Sequence, residues 1–102
     1  VSSVEETFGL GQLVYSKAGR DKGRAFLVVS LVGNSFAYLV DGEMRKVEKP
    51  KKKNLKHLDS TGIIAYPIAR KLERGESLTN EEVRLAIASL VGKDADTARQ
   101  GG

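Results

Sequence analysis

"RAFLVVSLVGNSFAYLVDG", residues 24–42, is the stretch on which the fold turns. Two apolar runs are joined by Gly33-Asn34-Ser35 and closed by Asp41-Gly42. Runs this short and this rich in Val, Leu and Phe favour strands, and both junctions are hairpin signals. Successive side chains of a strand point to opposite faces. Phe26, Val28 and Val32 therefore share one face, and Ala25, Leu27, Val29 and Leu31 the other. Both faces are apolar, so both need cover. One is expected to face the interior of a small barrel, and the other to lie beneath a lid.

Upstream, "GQLVYS" (11–16) reads as a brief strand and "KAGRDKG" (17–23) as a turn. Gly19 and Gly23 permit positive φ there, and Asp21 favours turns. Downstream come the short "EMRKV" (43–47), a break at Pro50 and "KNLKHL" (53–58) as a last strand. Four or five short strands joined by turns describe a small β-barrel. Two helices follow. In "LTNEEVRLAIASLVG" (78–92), Thr79 and Glu82 have the spacing of a capping box, Val83, Ile87 and Leu90 form a stripe, and Gly92 is placed to stop the helix. In "IAYPIARKLERG" (64–75), Ile64, Ile68 and Leu72 form a stripe, and Pro67 sets the first turn near Tyr66. Such stripes bind partners or cover sheets; here they are expected to supply the lid. The expected organisation is a flexible lead-in over 1–8, a barrel over 9–58, a helical extension of the same compact domain over 59–92 and a frayed tail over 93–102.

With 102 residues, 40% hydrophobic and 29% charged, the chain is one small globular domain. The lack of cysteine excludes disulfides and thiolate metal sites. The opening "VSSVEETFGLG" has no basic segment leading into an apolar one, so no secretory signal is expected. No apolar run approaches the ~20 residues of a membrane span. A cytoplasmic monomer is the default expectation. The net charge of +4 is unevenly spread: residues 45–57, "RKVEKPKKKNLKH", carry seven Lys and Arg against Glu48 alone. Such asymmetry suggests a polyanion.

Two constellations carry that expectation. In "KAGRDKGR" (17–24), a tight turn with exposed backbone N–H groups and flanking cations suits phosphate oxygens. The competing reading is an ordinary strand connection with solvated charges. In the lysine run, Lys51, Lys52 and Lys53 cannot all point one way in extended chain. The run reads as an exposed phosphate-tracking loop entering a strand, or as solvating charge beside an edge. In so small a domain the two segments should form one positive surface, which favours nucleic acid. Among the aromatics, Phe26 and Phe36 are expected in the core, and Tyr15, beside the basic loop, is the best base-stacking candidate. The lone His57 lacks partners for a zinc site or a catalytic set. No enzyme, metal or cofactor is expected.

"GQLVYSKAGRDKGRAFLVVSLVGNSFAYLV" (11–40) resembles the KOW motif, in which a basic loop with a glycine joins two strands; here that glycine is Gly23. "AGRDKGR", "KHLDST" and "NEEV" are similar to stretches of the archaeal and eukaryotic large-subunit ribosomal protein of the fourteen-e type, and a small group of bacterial KOW-domain RNA-binding proteins is similar as well. The resemblance spans residues 9–91. It implies an SH3-like barrel followed by two short packed helices, and binding to RNA, usually ribosomal RNA, with ribosomal proteins as possible neighbours. It implies RNA contacts from Lys17, Arg20, Lys22 and Arg24 around Gly23 in the loop region, beside the stacking candidate Tyr15. In the closing segment it implies them from Arg45, Lys46, Lys51, Lys52, Lys53 and Lys56, and the basic run itself adds Lys49 and His57 as candidate contacts. Lysines make point-charge contacts, which favours backbone over base recognition. KOW domains of transcription elongation factors bind proteins instead, so a protein-interaction adaptor is the alternative.

Overall fold

The computed structural model describes residues 8–101, with side chains described through Asp94. The expected lead-in over 1–8 falls almost wholly outside the described residues. Five strands, β1 (Gln12–Ser16), β2 (Ala25–Val32), β3 (Phe36–Val40), β4 (Lys51–Asn54) and β5 (Leu58–Ile64), form one antiparallel sheet in the order β4-β3-β2-β1-β5. Two helices follow, α1 (Tyr66–Glu73) and α2 (Asn80–Gly101). Among the described residues no ladder joins β4 to β5, so the sheet is not closed by backbone pairing.

The long strand β2 is covered on both faces over its first half, as its two apolar faces require. Val14, Phe26, Val28, Ala37, Leu39 and Leu58 form one core on one face of the sheet. Leu13, Leu27 and Val40 face the other way and pack beneath Ala65 and Ile68 of the α1 side and Val83 and Leu90 of α2. The helices are thus the lid. Burying side chains of this kind stabilises by roughly 1.5–3 kcal/mol each.

Past its middle, β2 departs from simple alternation. Val28 lies opposite Leu39, but Ser30 lies opposite Tyr38, leaving Val29 as an extra residue. This β-bulge exchanges the faces of everything beyond it. Leu31 comes opposite Ala37, and Val32 opposite Phe36, each on the face opposite to the one expected. Both are substantially exposed, and Phe36, expected in the core, is only half-buried and belongs to neither core.

The remaining differences have local causes. "EMRKV" is not a strand, and Asp41-Gly42 does not open a tight hairpin. The buried Asp41 carboxylate accepts the backbone N–H groups of Glu43 (2.9 Å) and Arg45 (2.8 Å), which turns the chain where a ladder would have extended it. "KNLKHL" is split in the same way. The Asn54 side chain accepts the Lys56 N–H (2.9 Å) and caps a single 3₁₀ turn, Leu55–His57, before β5 begins. β5 itself occupies residues assigned to the helical extension, because its polar centre, Asp59-Ser60-Thr61-Gly62, hides the strand pattern. α2 runs through Gly92, where a stop was expected, and continues into the tail to Gly101. A glycine inside a helix costs only about 1 kcal/mol, and the good helix formers that follow outweigh it. The capping box at its start is present: the Glu82 N–H donates to Thr79 Oγ1 (3.2 Å) and the Thr79 N–H to Glu82 Oε2 (2.7 Å).

Candidate nucleic-acid interface

The basic loop between β1 and β2 is built by hydrogen bonds to itself. Gly23 takes φ 87°, a left-handed conformation open to glycine, and donates its N–H to the Ser16 carbonyl (2.8 Å). Lys22 N–H donates to Gly19 O (3.2 Å) and Arg24 N–H to Asp21 O (2.9 Å). These three N–H groups, expected to face phosphate, are therefore already satisfied. An anion at this turn would be met there by side chains rather than by these three groups.

Asp21 organises the surroundings. It is buried, and its Oδ2 lies 3.4 Å from Arg45 Nη2 and 3.8 Å from Lys51 Nζ. One carboxylate thus joins the loop to the segment after β3 and to the edge strand β4. Lys53 strengthens the junction from below, donating to Ser16 Oγ (2.6 Å) and the Ala18 carbonyl (3.0 Å). Register explains why Lys51 and Lys53 act together. They sit opposite Leu39 and Ala37 on the face of the Phe26 core, while Lys52 lies opposite Tyr38 on the other. Burial pulls the Lys53 ammonium below the usual lysine range; Asp21 opposes that pull, and Lys51 and Arg45 add to it. Lys17 joins the closing segment too, its N–H donating to the His57 carbonyl (2.7 Å) and its ammonium lying 3.7 Å from Asp59.

The helices hold the second segment in place. Val47 N–H donates to Asn80 Oδ1 (2.8 Å), Asn80 Nδ2 donates to Glu48 (3.0 Å), and Arg84 donates to the Gly42 carbonyl (2.8 Å). Gly42 passes so close to α2 that a Cβ there would lie 2.5 Å from Asn80 O. The start of α2 therefore fixes residues 42–48, and through them Arg45 against Asp21.

The cations named from the sequence divide into two sets. Lys17, Arg24 (3.0 Å from Asp41 Oδ2), Arg45, Lys51 and Lys53 are engaged within the fold, and Lys52 Nζ lies 4.6 Å from the centre of the Phe36 ring. Arg20, Lys22, Lys46, Lys49 and Lys56 are exposed and make no ion pair among the described residues. Lys46 and Lys49 border a shallow groove of about 470 Å³ that Met44, Arg45, Pro50 and Lys51 complete. His57 and Gly23 are exposed at the surface. Tyr15 lies elsewhere. It is half-buried against the helix-side core and its hydroxyl donates to Asp94 (3.1 Å), with burial and then the Asp94 carboxylate raising its pKa.

Sequence reasoning missed Asp21 as a joining group, Asp41 as a turn-former through its side chain, and Asn80 and Arg84 as anchors. An acid centred among four cations in "KAGRDKGR" was the available signal for the first. Nothing in the sequence signals the other anchors, which act across the fold. Among the described residues no cluster of three or more His, Asp or Glu could hold a metal ion, and no helix is long and apolar enough to cross a membrane. Compared with protein-family models and with curated protein sequences, the chain matches none.

Proposed function

We propose that the chain is an RNA-binding module of the KOW type, which grips RNA by its phosphate backbone, with ribosomal RNA as the expected target. The observation that carries this reading is the junction at Asp21. Two cation-rich segments far apart in sequence meet at one carboxylate, and their unpaired members, Arg20 and Lys22 beside Asp21 and Lys46 and Lys49 beside Arg45 and Lys51, remain exposed. A cluster of free cations on a rigid support is what neutralising successive phosphates requires. The strand order, the 3₁₀ turn between β4 and β5 and the enclosed core around Phe26 support reading the sheet as an SH3-like barrel. In that reading Lys53 ties the edge strand β4 to the end of β1 by side chain.

The test is crosslinking in cells followed by sequencing of the attached RNA and mapping of the crosslinked peptides. The reading requires reads gathered at a discrete RNA site, with crosslinks within residues 17–24 and 45–57. RNA recovery at background overturns it.

A second reading, an adaptor that binds protein, is favoured by a different feature. A groove of about 430 Å³, in which Glu48, Glu76 and Ser77 join the apolar Val29, Val40, Val47, Leu72 and Leu78, opens beside the α1–α2 connection. An adaptor's binding would survive moderate salt, and its crosslinks would fall on those residues.

A further inference from the structure

Phe36 and Tyr38 are the two aromatic side chains of β3, and neither belongs to either core. Ala37 and Leu39 point into the core around Phe26, so Phe36 and Tyr38 share the opposite face with Val40. Val40 is covered by the helices, whereas Phe36 and Tyr38 lie farther along the strand and are only half-buried. The bulge at Val29 sets what surrounds them. It brings the small, exposed Ser30 opposite Tyr38 and the exposed Val32 opposite Phe36. On the other side, β4 places Lys52 opposite Tyr38 and Asn54 opposite Phe36. The Tyr38 hydroxyl makes no hydrogen bond among the described residues.

We propose that this strip is a stacking platform for unpaired bases of the RNA that the basic surface holds, so the proposal rests on the RNA-binding reading. The Tyr38 ring, with the small Ser30 beside it, leaves room for a planar partner, and a base stacking on Phe36 would displace the Lys52 ammonium toward its own phosphate. The charge beside the rings is complementary to nucleic acid: Lys52 already lies over Phe36, and from there its ammonium is in reach of the phosphate of a base stacked on Tyr38. Lys52 also alternates along β4 with Lys51 and Lys53. A strand of RNA crossing this edge thus passes from the basic junction to the aromatic face. The occupant is single-stranded RNA, because bases paired within a duplex do not present their faces.

The chain has no tryptophan, so Tyr38→Trp introduces a single indole reporter on the strip. That variant is titrated with a short oligouridylate and with a blunt RNA duplex of equal length, by fluorescence and by a separate binding assay. The proposal requires the oligouridylate to quench the indole and the duplex to bind without quenching. Phe36→Leu, which keeps apolar bulk and removes the ring, should weaken oligouridylate binding at least about fivefold and leave duplex binding unchanged. Oligouridylate binding with no quench, and with Phe36→Leu without effect, overturns the stacking platform while leaving backbone binding intact. Failure of both RNAs to bind the unsubstituted protein overturns the RNA-binding reading, and this proposal with it. If Phe36→Leu loses its far-ultraviolet circular dichroism, the quenching contrast alone decides.

Discussion

Replacing Asp21 with Asn tests the junction while preserving size. In the native fold the Asp21 carboxylate lies 3.4 Å from Arg45 and 3.8 Å from Lys51, with only 10% of its side chain exposed. At an effective dielectric constant of ~20, each attraction is on the order of 4 kcal/mol. Most of that is offset by the cost of taking the carboxylate out of water. Both partners are more than a third exposed, which screens the pairs further. The neutral amide also leaves Arg45, Lys51 and Lys53 facing one another without their shared counter-charge. The expected net loss is about 1–3 kcal/mol, read as a lower urea midpoint with an unchanged slope. The same substitution makes the protein more positive by one charge. If charge alone governed RNA binding, affinity would rise. Because the junction positions the free cations, affinity should fall despite the added charge. Unchanged stability together with tighter RNA binding would refute the role assigned to Asp21.

Three further outcomes follow from the same geometry. Gly42→Ala should cost about 2 kcal/mol or more by thermal or urea unfolding, since the new Cβ would meet Asn80 O at 2.5 Å and φ there is 80°. Asn80→Ala leaves the Val47 N–H and the Glu48 carboxylate without their partner and should cost about 1–2 kcal/mol, with faster hydrogen exchange at Val47. Asp41 predicts a pH dependence. Burial alone would raise its pKa, but the N–H groups of Arg45 and Glu43 and the Arg24 guanidinium outweigh burial and hold it below its usual 3.8. A carboxyl with a lowered folded pKa contributes stability above the unfolded value and loses it as pH falls through the folded one. Wild-type stability should therefore decline on acidification below about pH 4, and Asp41→Asn should be less stable at pH 7 and decline less.

The elements that could be read from the sequence are those whose signals are local. Strands β1, β2 and β3 follow from apolar runs and glycine turns, and the start of α2 follows from the Thr79–Glu82 capping box. Even the need for a lid follows from the two apolar faces of β2. What could not be read depends on side chains that replace backbone partners. Asp41 turns the chain after β3, and Asn54 splits the last expected strand into β4, a 3₁₀ turn and β5. The bulge at Val29 is invisible in "FLVVSLV", because any of its residues could be the extra one; it nevertheless decides that Leu31 and Val32 exchange faces, while Phe36 faces away from the Phe26 core because Ala37 and Leu39 of the same strand face into it. The candidate interface was legible as a pair of basic segments. Which cations are free was not, since Arg45, Lys51 and Lys53 are engaged by Asp21, Ser16 and Ala18, groups that reach them only through the fold.

The central claim is that the cations of the two basic segments that make no ion pair among the described residues neutralise RNA phosphates, and the salt dependence of RNA affinity measures that most directly. If Arg20, Lys22, Lys46, Lys49 and Lys56 each neutralise one phosphate, affinity should fall roughly a hundred- to five-hundredfold between ~50 and ~200 mM salt. Lys46→Ala combined with Lys49→Ala should weaken binding to different RNAs alike and make the log–log slope shallower by about 1.4 to 1.8. Affinity that does not change with salt, or a slope untouched by removing those two lysines, would contradict the account.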